Sequence, residues 1–516
     1  MTARNALRIA LVVLFTAIPL AAPTAALAHV GSADVFYEGD AGPYHLIVTV
    51  VVPQVIPGVA EVQVRSQSND VKSISTSVTR LSGPGSNLTP VPDLALRSPI
   101  DPHLFTSSLW LMEYGSMRVR LAVSGARGGA EMSVPVPSFA RQMLPMPRWL
   151  GALLLALVTG LALGAISIIG AAARDSKLPK GSPVTAEARR SGRRAMLVAA
   201  VIVSMVYYFA FVWWGADDAQ FARITRLFKP PKLALMLDGA NHLAIRAADS
   251  NEPVIREKVM PQLIPDHGHL MHLFMVRAPG LDRMWHLHPE AIDKEGAFAE
   301  NLPSIEAGHY QVFADVVDKS GFPWTLVGAI DLPQISGAPL SGDDSSGRAE
   351  ALAANSSGPI AKVSESGIAT DVLADGTRVL WRHEPLRAKI PMLLQFIVQD
   401  KNGEPARDLE PYMGMAAHAE IVASDLSVFA HIHPSGSVPM AALMMASADA
   451  AKAPGAIGAM KMPAGMAMRE MAPASVAIAP NISMPYGFPK PGLYRIFFQF
   501  KRGGRIETAV FDARVN

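Results

Sequence analysis

Two uncharged apolar runs constrain this chain more than any other feature. Trp149 to Ala173 and Ala195 to Trp214 each reach or exceed the roughly 20 residues that a bilayer-spanning helix needs. Trp149, Trp213 and Trp214 stand at the ends that would meet the outer interface. Between the runs lie Arg174, Lys177, Lys180, Arg189, Arg190, Arg193 and Arg194, opposed only by Asp175 and Glu187. Cytoplasmic connections carry such an excess of basic residues. The pattern therefore predicts transmembrane helices at 149–173 and 195–214, a cytoplasmic loop at 174–194, and both flanks on the outer side of the membrane. Neither run holds an ionisable residue, which argues against a proton or ion pathway through the pair. Reporter fusions at residue 183 and at the C-terminus are expected to report opposite sides of the membrane; one side for both would remove this topology.

The N-terminus reads as a targeting segment. Arg4 and Arg8 precede an apolar run from Ala10 to Leu20, and Ala26-Leu27-Ala28 forms a small-residue cleavage site. The expectation is a signal peptide at 1–28, the alternative an uncleaved anchor. Cleavage after Ala28 would expose His29, whose free amine and imidazole together chelate Cu(II). The chain of 516 residues has no cysteine, so disulfides, thiolate metal sites and thiol nucleophiles are excluded. A net charge of +2 with no broad basic stripe argues against nucleic-acid binding.

The fold class expected is mainly β, with three immunoglobulin-like β-sandwich domains outside the membrane plus the two helices. The first spans 29–147. Its short apolar or alternating stretches, His45 to Val52, Ala60 to Arg65 and Ser116 to Val123, are separated by Pro- and Gly-rich turns. A juxtamembrane linker occupies 215–232. Beyond it His272 to Pro289, ending His286-Leu287-His288-Pro289, matches His418 to Pro434, ending His431-Ile432-His433-Pro434. Each block is followed by a similar strand, Ala307 to Asp315 and Pro491 to Phe500, and then a short hairpin. Two matching blocks in matching order imply a duplicated β domain, at 233–335 and 366–516, with 336–365 as linker.

Residues i and i+2 of a strand point to one face. His286 and His288 therefore project together, as do His431 and His433. The turn near Gly280 sets His272 opposite His288, and His418 stands likewise opposite His431 or His433. Three imidazoles per copy suit Cu(II), Zn(II) or Ni(II). His267 and His269 precede the first set, and Met413 and Met415 hold the matching places in the second. The alternative is a hydrogen-bonded histidine corner that braces the turn without metal. An insertion at 438–484 carries Met440, Met444, Met445, Met460, Met462, Met466, Met468, Met471 and Met484. Thioethers favour Cu(I). The segment from Met440 to Met471 is expected to stand outside the sandwich, as a copper-binding loop or as a patch for an apolar partner.

The His-(13 or 14)-His-x-His-Pro pattern with its downstream Pro-Gly-x-Tyr strand resembles bacterial periplasmic domains called YtkA-like, in two copies over about 233–516. Residues 29–147, opening with Ala28-His29-Val30-Gly31-Ser32, look loosely like the immunoglobulin-like copper-resistance proteins of the periplasm. The resemblance implies β-sandwich domains, an envelope location and a link to copper; it supplies no reaction. Zinc is the other metal expected, from the imidazole donors alone. The function expected is metal handling, by binding, delivery to a membrane cuproenzyme or transporter, or tolerance. A structural or interaction module and the outer part of a sensor complex are the alternatives. No enzyme is expected, because no nucleophile motif, cofactor fingerprint or paired acid/base carboxylates stand near the histidines.

Overall fold

A computed structural model describes residues 34–142, 144, 146–179, 181–224, 228, 230–248, 260–352, 367–450 and 478–516. The proposed signal peptide, His29, Met460, Met462, Met466, Met468 and Met471 lie outside the described residues. Both apolar runs are helical. Helix α1 covers Arg148–Asp175, 28 residues, and α2 covers Ala186–Ile224, 39 residues. At 1.5 Å per residue α1 is ~42 Å long. Both are long and apolar enough to cross a membrane, and large apolar side chains such as Leu161, Ile168 and Phe211 point away from the protein. The helices pack on each other where Gly192 meets Gly170: a Cβ on Gly192 would come within 2.8 Å of the Gly170 carbonyl. Their ends differ from the expected boundaries. The basic residues from Arg189 to Arg194 lie in the first turns of α2 and not in a loop. Alanine and arginine are good helix formers, so a helix that leaves the apolar layer has no local reason to stop.

The rest of the described chain is mainly β, in six sheets, two to each unit. The first unit pairs a five-stranded with a four-stranded sheet; of the three stretches singled out in its sequence, all but Val52 fall within Tyr44–Val51, Gly58–Ser66 and Gly115–Gly125. Gly58–Ser66 alternates buried and exposed residues along most of its length, as expected for a strand with one face on the core.

The two histidine blocks share a strand order. In the first copy β1 (His272–Ala278) lies between β2 (Arg283–Leu287) and β3 (Gly308–Asp318), and β3 pairs onward with Pro323–Leu332. The linker stretch then supplies β4 (Ser345–Arg348), which pairs with β2. In the second copy β5 (His418–Ala423) lies between β6 (Phe429–Ile432) and β7 (Gly492–Arg502), and β7 pairs with Arg505–Val515. The other two sheets diverge. In the second copy Met392–Gln399 separates Arg378–His383 from Asn481–Tyr486, whereas in the first His242–Ala247 pairs directly with Phe298–Asn301.

Three expectations change here. The copies are not separate domains: their histidine-bearing sheets pack face to face. Phe274 and Phe313 of one copy share an apolar cluster with Val422, Phe429 and Phe497 of the other, and the Phe313 and Phe429 rings stack at 4.3 Å. Accordingly β5 is buried at every position, as a strand covered on both faces must be. The linker at 336–365 is in part structural. Strand β4 satisfies the edge of β2, and Gly347 runs so close to the second copy that a Cβ would meet Phe497 at 2.8 Å. The two described ends of the methionine insertion, 438–450 and 478–484, also enter the fold. Met440–Ala450 is helix α3, with Ala442 and Ala446 buried against Leu81 of the first unit, and Met484 is a fully buried core residue of Asn481–Tyr486. A tertiary contact caps helix α3: the Ala441 N–H donates to Asp266 Oδ1 at 2.7 Å.

The first unit is tied to the second copy by backbone bonds. Glu38 N–H donates to Ser435 O at 3.0 Å and Ser437 N–H to Phe36 O at 2.9 Å. Gly436, at φ +110°, passes so close to Phe36 that a Cβ there would fall 1.9 Å from its carbonyl oxygen.

Candidate metal centre

The registers place the histidines as the strand pattern requires. Leu273 faces Leu287 and Ala419 faces Ile432, so the flanking His272 and His288, and His418 and His433, stand opposite each other at the strand ends. Just before each leading strand the chain makes a two-residue turn. Asp266 and His269 exchange backbone bonds at 2.8 and 2.9 Å, as do Tyr412 and Met415 at 2.8 and 3.0 Å. Both central residues of each turn have positive φ: His267 at 48° and Gly268 at 92°, Met413 at 49° and Gly414 at 78°. That is the tight turn that suits the twist of a hairpin, with glycine at its second central position.

Face-to-face packing merges the two sets into one buried imidazole cluster. One ring nitrogen each from His272, His286 and His288 lies within 4.8 Å of the others. A second group obeys the same limit and consists of His267, His418 and His433. It crosses the repeats, since His267 belongs to the first copy. Its Nδ1 donates to the Met413 carbonyl at 2.9 Å, which leaves Nε2 as a bare acceptor with no partner. His431 lies between the groups, its ring 5.5 Å from those of His272 and His286 and 4.6 Å from that of His433. His269 sits at the rim, stacked on His288 at 4.0 Å and with Nε2 3.3 Å from Asp343. Met413 offers its carbonyl and Met415 its backbone.

The hydrogen bonds decide the tautomers. A carbonyl only accepts, so His272 carries its proton on Nε2, toward Asp266 O at 3.0 Å, and its Nδ1 is a lone pair. Gln499 donates its Nε2 proton to Ser345 at 2.6 Å and turns Oε1 to His286 Nδ1 at 3.0 Å. His286 Nδ1 is therefore protonated and its Nε2 is a lone pair. Those two lone pairs, His272 Nδ1 and His286 Nε2, face each other at 3.1 Å. His288 completes the group: its Nδ1 donates to Asp344 at 3.0 Å, and its Nε2 has no partner. The second copy repeats the arrangement. His418 Nε2 donates to Tyr412 O at 3.1 Å, His418 Nδ1 faces His431 Nε2 at 3.1 Å, and His431 Nδ1 points at Asp315 from 3.7 Å.

A proton between the facing nitrogens would relieve the repulsion, but the surroundings oppose it. Burial, reinforced by the neighbouring imidazoles, holds His272, His286, His288, His418, His431 and His433 well below the usual histidine value. Burial also pushes Asp315 up to about 7, Asp344 to about 6, and Glu420 well above the usual carboxyl value. Glu420 is fully buried, with neither oxygen hydrogen-bonded, and lies 3.7 Å from His286 Nδ1.

All six principal histidines, with His267 and His269, thus converge. What strand periodicity does not show is the outer ring: Gln499 and Glu420 behind His286, Asp315 behind His431, Asp344 behind His288. Glu420 carried a signal, a carboxylate two residues from His418 on one face of an otherwise apolar strand. Asp315 and Gln499 occupy matched places opposite His272 and His418 and become legible only once β3 and β7 are paired.

The sequence profile of a domain of unknown function, DUF8832, matches residues 370–516, the second copy. No curated protein matches the chain. Among solved structures, dimeric latent PorU from Porphyromonas gingivalis is 9% identical over 94% of this chain and 34% of its own, with a TM-score of 0.14. A tetra-tandem repeat from the extending region of a large adhesion protein is 9% identical over 90% of this chain and 73% of its own, also with a TM-score of 0.14. The present chain thus spans about a third of PorU's length, and likenesses at such TM-scores carry no argument.

Proposed function

We propose that the chain is a membrane-anchored envelope protein that holds transition-metal ions, copper before zinc, in a histidine core shared by its two repeats. The observation that carries this reading is the pair of imidazole lone pairs held 3.1 Å apart in a site that disfavours protons. A metal ion resolves that repulsion, and the unpartnered Nε2 atoms of His288 and His267 supply further ligands. An imidazole donor set suits copper, zinc and nickel and is a poor match for magnesium or calcium; among divalent ions copper stands at the top of the affinity order. Carboxyls and amides that bond the far nitrogen of a ligand histidine fix its tautomer and raise its basicity, the part that Asp344 and Gln499 play here. The basic residues between the two apolar runs support an inner-membrane protein with its β units, read as immunoglobulin-like sandwiches, on the periplasmic side. The YtkA-like resemblance of the histidine blocks agrees with an envelope role.

The test is metal analysis of the full-length chain in detergent after chelator treatment and titration with Cu(I), Cu(II) and Zn(II). Up to two equivalents are expected, one for each histidine group. The double substitution His286→Ala/His288→Ala should remove one. If the parent protein holds no metal at micromolar concentration, the histidines are braces. The bonds from His272 and His418 to the Asp266 and Tyr412 carbonyls favour that second reading. The double substitution would then only destabilise the fold, by about 1–3 kcal/mol per buried group left unpaired.

A further inference from the structure

A cavity of about 140 Å³ lies where the first unit, both repeats and α3 meet. One part of its wall belongs to the histidine core: Asp266, Asp315, His431 and His433 line it, and both ring nitrogens of His433 lack a hydrogen-bond partner although the residue is 3% exposed. Another part is aromatic and includes Phe228, four residues beyond the last residue of α2, and Trp324, whose ring stacks on it at 5.8 Å. Asp34 brings the lining aspartates to three, and among the described residues no lysine or arginine lines the cavity. The carboxyl and imidazole groups of the wall offer oxygen and nitrogen donors to a cation. A single buried water needs about 10–15 Å³ of such space, so an ion can enter with part of its hydration shell. Asp315 is placed for the hand-over: one carboxyl oxygen is held by Thr325 Oγ1 at 2.6 Å, and the other lies 3.7 Å from His431.

We propose that this cavity is the loading path by which a partly hydrated transition-metal cation reaches the histidine core, with Asp315 as the carboxylate that passes it to the imidazoles. The proposal rests on the metal-binding reading above and adds the route. A route alters how fast the ion enters and leaves by the same factor and leaves the equilibrium untouched, whereas a change in the ligands themselves shifts affinity.

Ala442 and Val438 line the cavity and are not ligands. In the full-length protein in detergent, Ala442→Phe should slow Cu(II) uptake in stopped flow by about tenfold or more. It should slow release to a chelator equally, with Kd and stoichiometry unchanged. Val438→Ala, which widens the space and adds no bulk, should speed both; it decides the matter if the phenylalanine variant does not fold. Parental rates in the folded variants, with metal still bound, would overturn the path and leave the site standing. A parent protein that takes up no metal would remove site and path together.

Discussion

Replacing His267 with alanine is expected to disable the metal group carried mainly by the second repeat, although His267 lies 151 residues upstream of His418 in the first. The group has three members, and His267 brings to it a buried Nε2 that no hydrogen bond occupies, as His433 brings both its ring nitrogens. Loss of an outer hydrogen-bond partner alone typically weakens metal binding 10–100-fold, so loss of a ligand should weaken it by about 100-fold or more. Met413→Ala is the informative contrast. Met413 meets His267 through its backbone carbonyl, which alanine retains, so metal at this group should survive. Cu(II) titration of both variants checks the pair. Equal losses would make the Met413 thioether a ligand, and no loss in either would take His267 out of the site.

Arg495→Met should be the most damaging substitution outside the histidines. Arg495 is 2% exposed. It grips Asp512 with two nitrogens, at 2.7 and 2.9 Å, and donates to the carbonyls of Leu281 and Glu350 at 2.9 and 2.8 Å. Leu281 lies in the β1–β2 turn and Glu350 just beyond β4, so a single guanidinium from the second repeat latches the first. Removing it leaves a buried carboxylate and carbonyls uncompensated, at a cost of about 3–5 kcal/mol. Because the latch joins the repeats, the proposed metal binding at the shared histidine cluster should weaken along with the fold. Denaturant unfolding and metal titration of the same variant check both effects. Adding Asp512→Leu should recover the part due to the orphaned carboxylate but not the part due to the carbonyls. A midpoint unchanged by Arg495→Met would show that the apolar cluster alone holds the repeats together.

The matching position in the first copy is Gln311: Val276 faces Gln311 as Val422 faces Arg495. The duplication has thus kept the register and changed the chemistry. The two turns show the same, with His267-Gly268-His269 in one copy and Met413-Gly414-Met415 in the other. Sequence comparison exposes such substitutions at once. It does not say that one of them, His267, would serve the opposite copy.

Local patterns in the sequence determined a good deal. Uncharged length marks α1 and α2, alternation marks the strands of the first unit, and the i, i+2 spacing with a turn near Gly280 sets His272, His286 and His288 on one face. Each of these depends on residues close in the chain, and geometry within one strand or one hairpin follows from them. Tertiary structure alone decided the rest. Periodicity tells which face of a strand a side chain takes and is silent on what covers that face. His286 meets Gln499 from 213 residues away, and Asp266 caps a helix 175 residues downstream. The same holds for β4 in the supposed linker and for α3 in the supposed loop. Neither has a strong pattern of its own; each is ordered by the surface it covers. The histidine cluster shares that origin, because facing lone pairs and cross-copy contacts arise only when the two histidine-bearing sheets bury their faces against one another.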